Sequence, residues 1–363
     1  MPTLFNHSHT LLTQRYKGQS PELYERVIAN APFFAARALP LSRPGDAVQL
    51  NPEYKEFYPY YLDHLRQVGL DTAQEIIWDL SAEVANDFPD YEFSCFRFNP
   101  GLNMVRPNPR RLEATDRFNN KNEFVALCQK LGCPVPHTIM LADRQLPPFT
   151  DITYPVYLKS AIMAAGLNVY RCQDEQELRS CMGRFKGEYQ LQDEIPDVKA
   201  FISTQYFAAN GRASHLATTG QLLDGVNYIG NSYPVAYDPR AITDPLANTL
   251  ASEGLEDFFG FDLAVNPDGF WLIECNARVT GATYPTLVAN RLGITEWKSC
   301  KLHTTHQSLR TLDLQSLTYD PTRGAGVVVL NDSFMSVNGE ITVLLAGSKA
   351  TQAETEAKLN ACL

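Results

Sequence analysis

The sequence predicts an α/β (α+β) fold, and three observations carry that prediction. Short apolar runs alternate with helix-like stretches along most of the chain. A hairpin signal, FDLAV-NPDG-FWLIECNAR, lies in the second half. The 363 residues are 44% hydrophobic and 20% charged, enough for a substantial core shared between two or three lobes.

Residues 1–115 read as an amino-terminal α/β lobe. A buried strand is expected at Asp46–Leu50, a helix from Glu56 to Val68 ending at Gly69, and a strand at Glu75–Leu80. The stretch Asn99–Arg117 holds Pro100, Pro107 and Pro109 among Arg106, Arg110, Arg111 and Arg117, and reads as an anion-facing loop or, the favoured reading, a solvated linker.

Residues 116–209 form the second expected lobe. Asn119 or Asn120 caps a helix through NKNEFVALCQKL, which Gly132 and Pro134 stop. Strands follow at HTIML and YPVYLKS, then a helix from Asp174 to Phe185, then strands at EYQLQDEI and AFISTQYFAA. Residues 210–363 form the third. An interrupted segment, 210–239, leads to a helix over roughly Pro245–Phe259 and then to the hairpin. A helix at Tyr284–Leu292, strands at GVVVLND and EITVLLAG, and an Ala-rich last helix complete the chain.

The formal charge of -10 argues against nucleic acid or an anionic membrane as the main partner. Eight cysteines show no C-x-x-C pair and read as small residues of a reducing cytosol. The N-terminus lacks a signal-peptide pattern and no run of 18 apolar residues occurs, so a cytoplasmic protein is expected.

The hairpin carries the chemistry. A type I turn over Asn266-Pro267-Asp268, with Gly269 in the left-handed position, pairs Asn266 with Phe270. Counting back in steps of two sets Asp262 opposite Glu274, with Asn276 and Arg278 on the same face. Like charges so placed repel by on the order of 4 kcal/mol at about 4 Å in a medium of dielectric near 20. Two carboxylates and an amide oxygen are hard ligands suited to Mg²⁺, with phosphate oxygens completing its shell. The competing reading is a shared proton or a solvated pair. Upstream, Lys159 ends the strand YPVYLK before the small-residue loop SAIMAAG, and Lys121 opens a helix whose dipole favours anions. No Ser-His-Asp or Cys-His order stands out, and His137 and His215 beside apolar runs read as structural.

In this order of motifs the chain resembles the ATP-grasp superfamily. Lys121 precedes LGCPVP, Lys159 precedes SAIMAAG, QLQDEI stands as the hinge, and Asp262 is followed by Glu274-Cys-Asn276-Ala-Arg278. The resemblance covers about 115–295. It implies an ATP-grasp fold preceded by an α/β lobe. Asp262, Glu274 and Asn276 would hold two Mg²⁺ ions (or Mn²⁺) on ATP, Lys121 and Lys159 would contact phosphates, and Arg278 would steady the transferred phosphoryl group. Backbone groups of Gln192, Asp193, Glu194 and Ile195 would read adenine, and Gly166 would belong to a loop over the phosphates. Two departures stand out. Lys199 replaces the usual ribose-binding Glu, leaving Asp197 or Glu194 as substitutes. Ala164 and Ala165 stiffen the loop 160–166, where relatives carry several glycines.

The resemblance implies an ADP-forming carboxylate–amine ligase of the amino-acid or peptide type, working through an acyl phosphate. Its partners would be a small carboxylate and an amine, and its candidate assembly a homodimer. A kinase on the same ATP grip, or a nucleotide-binding regulatory module, are the alternatives. Gln221–Pro234 reads either as a face towards the acyl acceptor or as a surface turn rich in Gly and Asn.

Overall fold

The computed structural model describes residues 1–10, 25, 28–162, 169–183, 187–225 and 227–363. It divides into two compact units. The first joins Met1–Leu112, Gly230–Pro234 and Val279–Leu363, and the second joins Glu113–Ile229 and Val235–Arg278. These boundaries differ from three consecutive lobes, because the last 85 residues group with the first 112.

In the first unit, β1 (Thr3–Asn6), β2 (Ala47–Gln49), β3 (Glu75–Ile77) and β4 (Glu92–Cys95) form a parallel sheet of order β3-β2-β1-β4. Leu4, Ala47 and Val48 are fully buried, as a sheet covered on both faces requires. The helix Tyr58–Gln67 lies within the expected span, and Gly69 behind it has φ +88°. Asn99–Arg117 is not a linker. It holds the helices Pro100–Val105 and Pro109–Phe118, each opening on a proline, where no intrahelical N–H is lost. Asn99 caps the first of them on the N–H of Leu102.

The second unit contains two sheets. β5 (Thr138–Leu141), β6 (Val156–Ser160), β7 (Val169–Cys172) and β8 (Tyr189–Asp193) make an antiparallel sheet of order β5-β8-β6-β7. Its apolar face holds Leu141, Val156, Leu158, Tyr189 and Leu191 against the helix Glu175–Met182, which Asp174 caps. β9 (Ala200–Ala209), β10 (Arg212–Asp224), β12 (Asp257–Asn266) and β13 (Gly269–Asn276) make the other, in the order β13-β12-β9-β10. Its core includes Phe118, Phe124, Tyr206, Phe259, Phe261 and Leu263.

β11 (Asn227–Tyr233) follows β10, so much of 210–239 is paired strand rather than interrupted chain. Its end, Gly230–Tyr233, pairs in the first unit with β14 (Trp297–His303). β14 pairs with β16 (Glu340–Ala346), and β16 with β15 (Gly326–Asn331). The helix expected at Pro245–Phe259 runs instead from Arg240 to Ser252, with Pro245 inside it. Phe258 and Phe259 belong to β12, where Phe259 is core. No described helix is long and apolar enough to cross a membrane. Cys95, Cys128, Cys172, Cys275 and Cys300 are buried thiols.

Candidate active site

The hairpin brings its charges together by a route other than simple counting. The turn pairs Asn266 with Gly269 and Val265 with Phe270, one residue tighter than expected, and Gly269 has φ +128°. Regular pairing from there would set Asp262 against Ile273. A bulge corrects it: Leu263 faces Leu272 and Asp262 faces Glu274, leaving Ile273 as the extra residue. The predicted pairing stands, for a different local reason.

Each carboxylate has one oxygen engaged by the protein and one turned inward. Asp262 Oδ1 accepts from Ser203 Oγ at 2.8 Å and Gln221 Nε2 at 2.7 Å. Glu274 Oε2 pairs with Lys121 Nζ at 2.9 Å. The inner oxygens, Asp262 Oδ2 and Glu274 Oε1, lie 2.9 and 3.4 Å from Asn276 Nδ2. Asn276 therefore points its N–H₂, not its carbonyl oxygen, at the carboxylates, while its Oδ1 accepts from Arg278 Nη2 at 2.6 Å. Ser203, from β9, was not foreseen as a site residue, and Gln221, from β10, only as the first residue of Gln221–Pro234, read as a face towards the acyl acceptor or a surface turn and not as a partner of Asp262. Their signal was available only as alternation along two strands whose order beside β12, β9 next to it and β10 beyond, the sequence leaves open.

The electrostatics follow from that packing. Burial and the charge of Glu274 raise the Asp262 pKa well above the usual carboxylate range. Burial also works upward on Glu274, but Lys121, then Arg278 and Lys159, together hold it below that range. Burial lowers Lys159 to about 8, with Glu274 pulling it back up and Lys121 pushing it further down. Three cations and two carboxylates thus share one poorly solvated site.

Lys121 starts the helix Lys121–Lys130, capped by the Asn120 side chain on the N–H groups of Asn122 and Glu123. Its own N–H donates to Ala161 O at 2.9 Å, fixing the helix start against the end of β6. Lys159 reaches Gln192 Oε1 at 2.5 Å, and Gln192 Nε2 donates to Thr138 Oγ1 at 3.2 Å. β8 is a central strand between β5 and β6, so Gln192 lies within sheet pairing on both sides. The Asp193 N–H goes to His137 O at 2.9 Å, while Glu194 and Ile195 lie past the strand end. The Glu194 side chain is bound by Arg171 at 2.6 and 2.9 Å and by Tyr157. Lys199 is exposed, and Asp197 has φ +52°. Gly166, with Ala164 and Ala165, lies outside the described residues.

The donor set fits a cation that keeps part of its shell for other ligands. Among the described residues no group of three His, Cys, Asp or Glu could hold a metal ion unaided. Two carboxylate oxygens and an amide, facing one point, match Mg²⁺ with water and phosphate supplying the rest. Oxygen ligation by Asn276 requires its amide to rotate, which also detaches Arg278 Nη2 from it.

No family model matches the sequence, and no curated protein matches it. Solved structures do. The N5-carboxyaminoimidazole synthetase from Staphylococcus aureus, complexed with ADP, is 10% identical, with a TM-score of 0.60 over 99% of this chain and 96% of that one. The biotin carboxylase–beta-gamma-ATP complex from Campylobacter jejuni is 15% identical, with a TM-score of 0.59 over 99% and 90%. The biotin carboxylase domain of Hydrogenobacter thermophilus 2-oxoglutarate carboxylase, determined with MgADP, ADP and bicarbonate, is 12% identical, with a TM-score of 0.58 over 96% and 86%. Similarity over whole chains at such low identity is a statement about architecture, and the architecture here is the ATP-grasp fold with an amino-terminal α/β lobe.

Proposed function

We propose that this chain is an ADP-forming, ATP- and Mg²⁺-dependent carboxylate–amine ligase. One observation carries the reading: Glu274 is gathered with Lys121, Lys159 and Arg278 around it, and its inner oxygen shares a point with Asp262 and Asn276. Phosphoryl transfer needs charge neutralised and partners aligned, and no protein nucleophile. Mg²⁺ held by Asp262, Glu274 and Asn276 would supply Lewis-acid neutralisation of phosphate oxygens. Similar structures determined with ADP or MgADP support nucleotide use.

The reaction runs in two steps. An oxygen of the substrate carboxylate attacks the γ-phosphorus, the bond to the β–γ bridging oxygen breaks, and ADP leaves with an acyl phosphate formed. The amine nitrogen then attacks the acyl carbon, the C–O bond to phosphate breaks, and the nitrogen loses its proton to solvent. Lys121 and Lys159 hold the phosphates, and Arg278, released from Asn276, holds the transferred group through its planar fork. Backbone groups of Glu194 and Ile195, past the end of β8, would read adenine. The carboxylate is amino-acid-like or small, and the protein suits a reducing cytoplasm.

ADP release from MgATP, measured with amino acids, short peptides, bicarbonate and amines, tests the proposal. Release that needs both an acid and an amine supports a ligase. Release with one acceptor makes the protein a kinase, and binding without release makes it a regulatory module. Glu274→Gln should cut ADP release by about 100-fold or more while the circular dichroism stays native; undiminished release would remove Glu274 from the chemistry.

A further inference from the structure

Gln190, in the middle of β8, is fully buried, yet among the described residues neither atom of its amide has a hydrogen-bond partner. An orphaned buried amide costs roughly 1–3 kcal/mol and calls for a cause. The register locates it. Gln190 pairs with Lys159 on β6 and with Met140 on β5. Directly opposed residues share a face, so Gln190 stands beside Lys159 on the face that also carries Gln192, Tyr157 and Thr138. The other face is the apolar core of Leu141, Leu158 and Leu191. Asn122 Nδ2 donates to Tyr189 O at 3.4 Å, so the Lys121 helix starts against the same stretch of β8.

Lys159 now rests on Gln192, two residues along β8 towards Glu194 and Ile195. To hold a phosphate its ammonium must leave Gln192. Resting on the nucleotide site proposed above, we infer that Gln190 is a further nucleotide-binding residue, specific to the polyphosphate. Its N–H₂ donates to a phosphate oxygen that Lys159 also holds, and its Oε1 accepts from the lysine ammonium. Both orphaned atoms gain partners in that state. Gln190 lies three residues before the end of the strand, on the phosphate side of the hinge rather than the adenine side.

The test compares MgATP and adenosine binding by calorimetry in the wild-type chain, Gln190→Leu and Gln190→Met, with thermal midpoints taken without nucleotide. Leucine and methionine fill similar space without polar atoms, so the nucleotide-free midpoint should hold or rise. MgATP should bind about tenfold or more weakly, as for a lost bond to a charged group, and adenosine as before. Should Gln190→Leu fold poorly, Gln190→Met gives the same comparison. MgATP affinity within twofold of wild type would leave the orphan to a trapped water and overturn the inference. Equal weakening of MgATP and adenosine would make the role structural and overturn it too. A wild-type chain that binds no MgATP would instead sink the nucleotide reading itself, a result distinct from both.

Discussion

The two carboxylates of the site are held asymmetrically, and that asymmetry sets what each residue contributes. Ser203 and Gln221 both donate to Asp262 Oδ1 and leave Oδ2 facing inward. They act through Asp262 and are positioning residues. Removing outer partners of a metal ligand commonly weakens the metal by about 10- to 100-fold. Ser203→Ala and Gln221→Ala should therefore raise the Mg²⁺ concentration for half-maximal ADP release about tenfold at constant nucleotide, with the thermal midpoint little changed. A lower midpoint with an unchanged Mg²⁺ requirement would make them mere packing.

Lys159 gives a second prediction at this scale. Phosphate binds its protonated form, and its pKa is lowered to about 8, first by burial. Nucleotide affinity should be level below about pH 8 and fall above it, by at most about tenfold per pH unit. Lys159→Arg keeps the charge at all these values and should abolish the fall. Dissociation constants at pH 7, 8 and 9 decide it, and parallel slopes in both proteins would refute it.

Elements place these residues, and two of them show how. The Asn120 cap fixes the helix start that carries Lys121, and replacing such a cap costs about 1 kcal/mol. Asn120→Ala should lower stability by about that amount in urea unfolding and weaken MgATP binding, since Lys121 is the first helical residue. Unchanged affinity with the expected stability loss would detach the helix start from the site. The hairpin shows the opposite case. Alternation along FDLAV and FWLIECNAR was legible because one face is core, with Leu263 and Leu272 fully buried. The bulge at Ile273 was not legible, because a bulge is a compromise between turn geometry and the packing of neighbouring strands. The helix at Arg240–Ser252 was misplaced for a related reason. The expected span began at Pro245, but the helix starts more than a turn earlier, where Tyr206 bonds Thr243 and Asp244.

At the scale of the whole molecule, the first unit is built from the two ends of the chain. Tyr54 donates to Asp332 Oδ1 across 278 positions of sequence, and Oδ2 has no partner among the described residues. Burial raises the Asp332 pKa to about 7. Its folded pKa lies above its unfolded one, so its contribution to stability is full below about pH 4. It is lost as pH rises to about 7, an effect on the order of a few kcal/mol. His64, lowered to about 4 by burial, and His7, lowered to about 3 by burial and Arg37, oppose this, because they are neutral when folded. The clean observable is therefore a difference. Asp332→Asn should gain stability relative to the parent between pH 5 and pH 8 in urea unfolding, and a gap independent of pH would exclude the buried acid as its source.

Sequence alone determined the elements whose residues face one dominant environment: β9, β13, β15, β16, the part of β12 from Phe261 to Val265, and the capped helix at Lys121. Each has a regular apolar face or a cap, so local chemistry and final packing agree. It also determined that Asp262, Glu274 and Asn276 gather on one face of the hairpin, whereas Arg278 lies past the end of β13, where its N–H turns back onto Asn276 O. Tertiary structure decided the rest: the bulge that restores their register, the donors on β9 and β10 that hold Asp262, the orphaned Gln190, and the joining of both chain ends in one unit. Those depend on which strands become neighbours, and that choice is made by burial summed over the whole chain rather than by any local pattern.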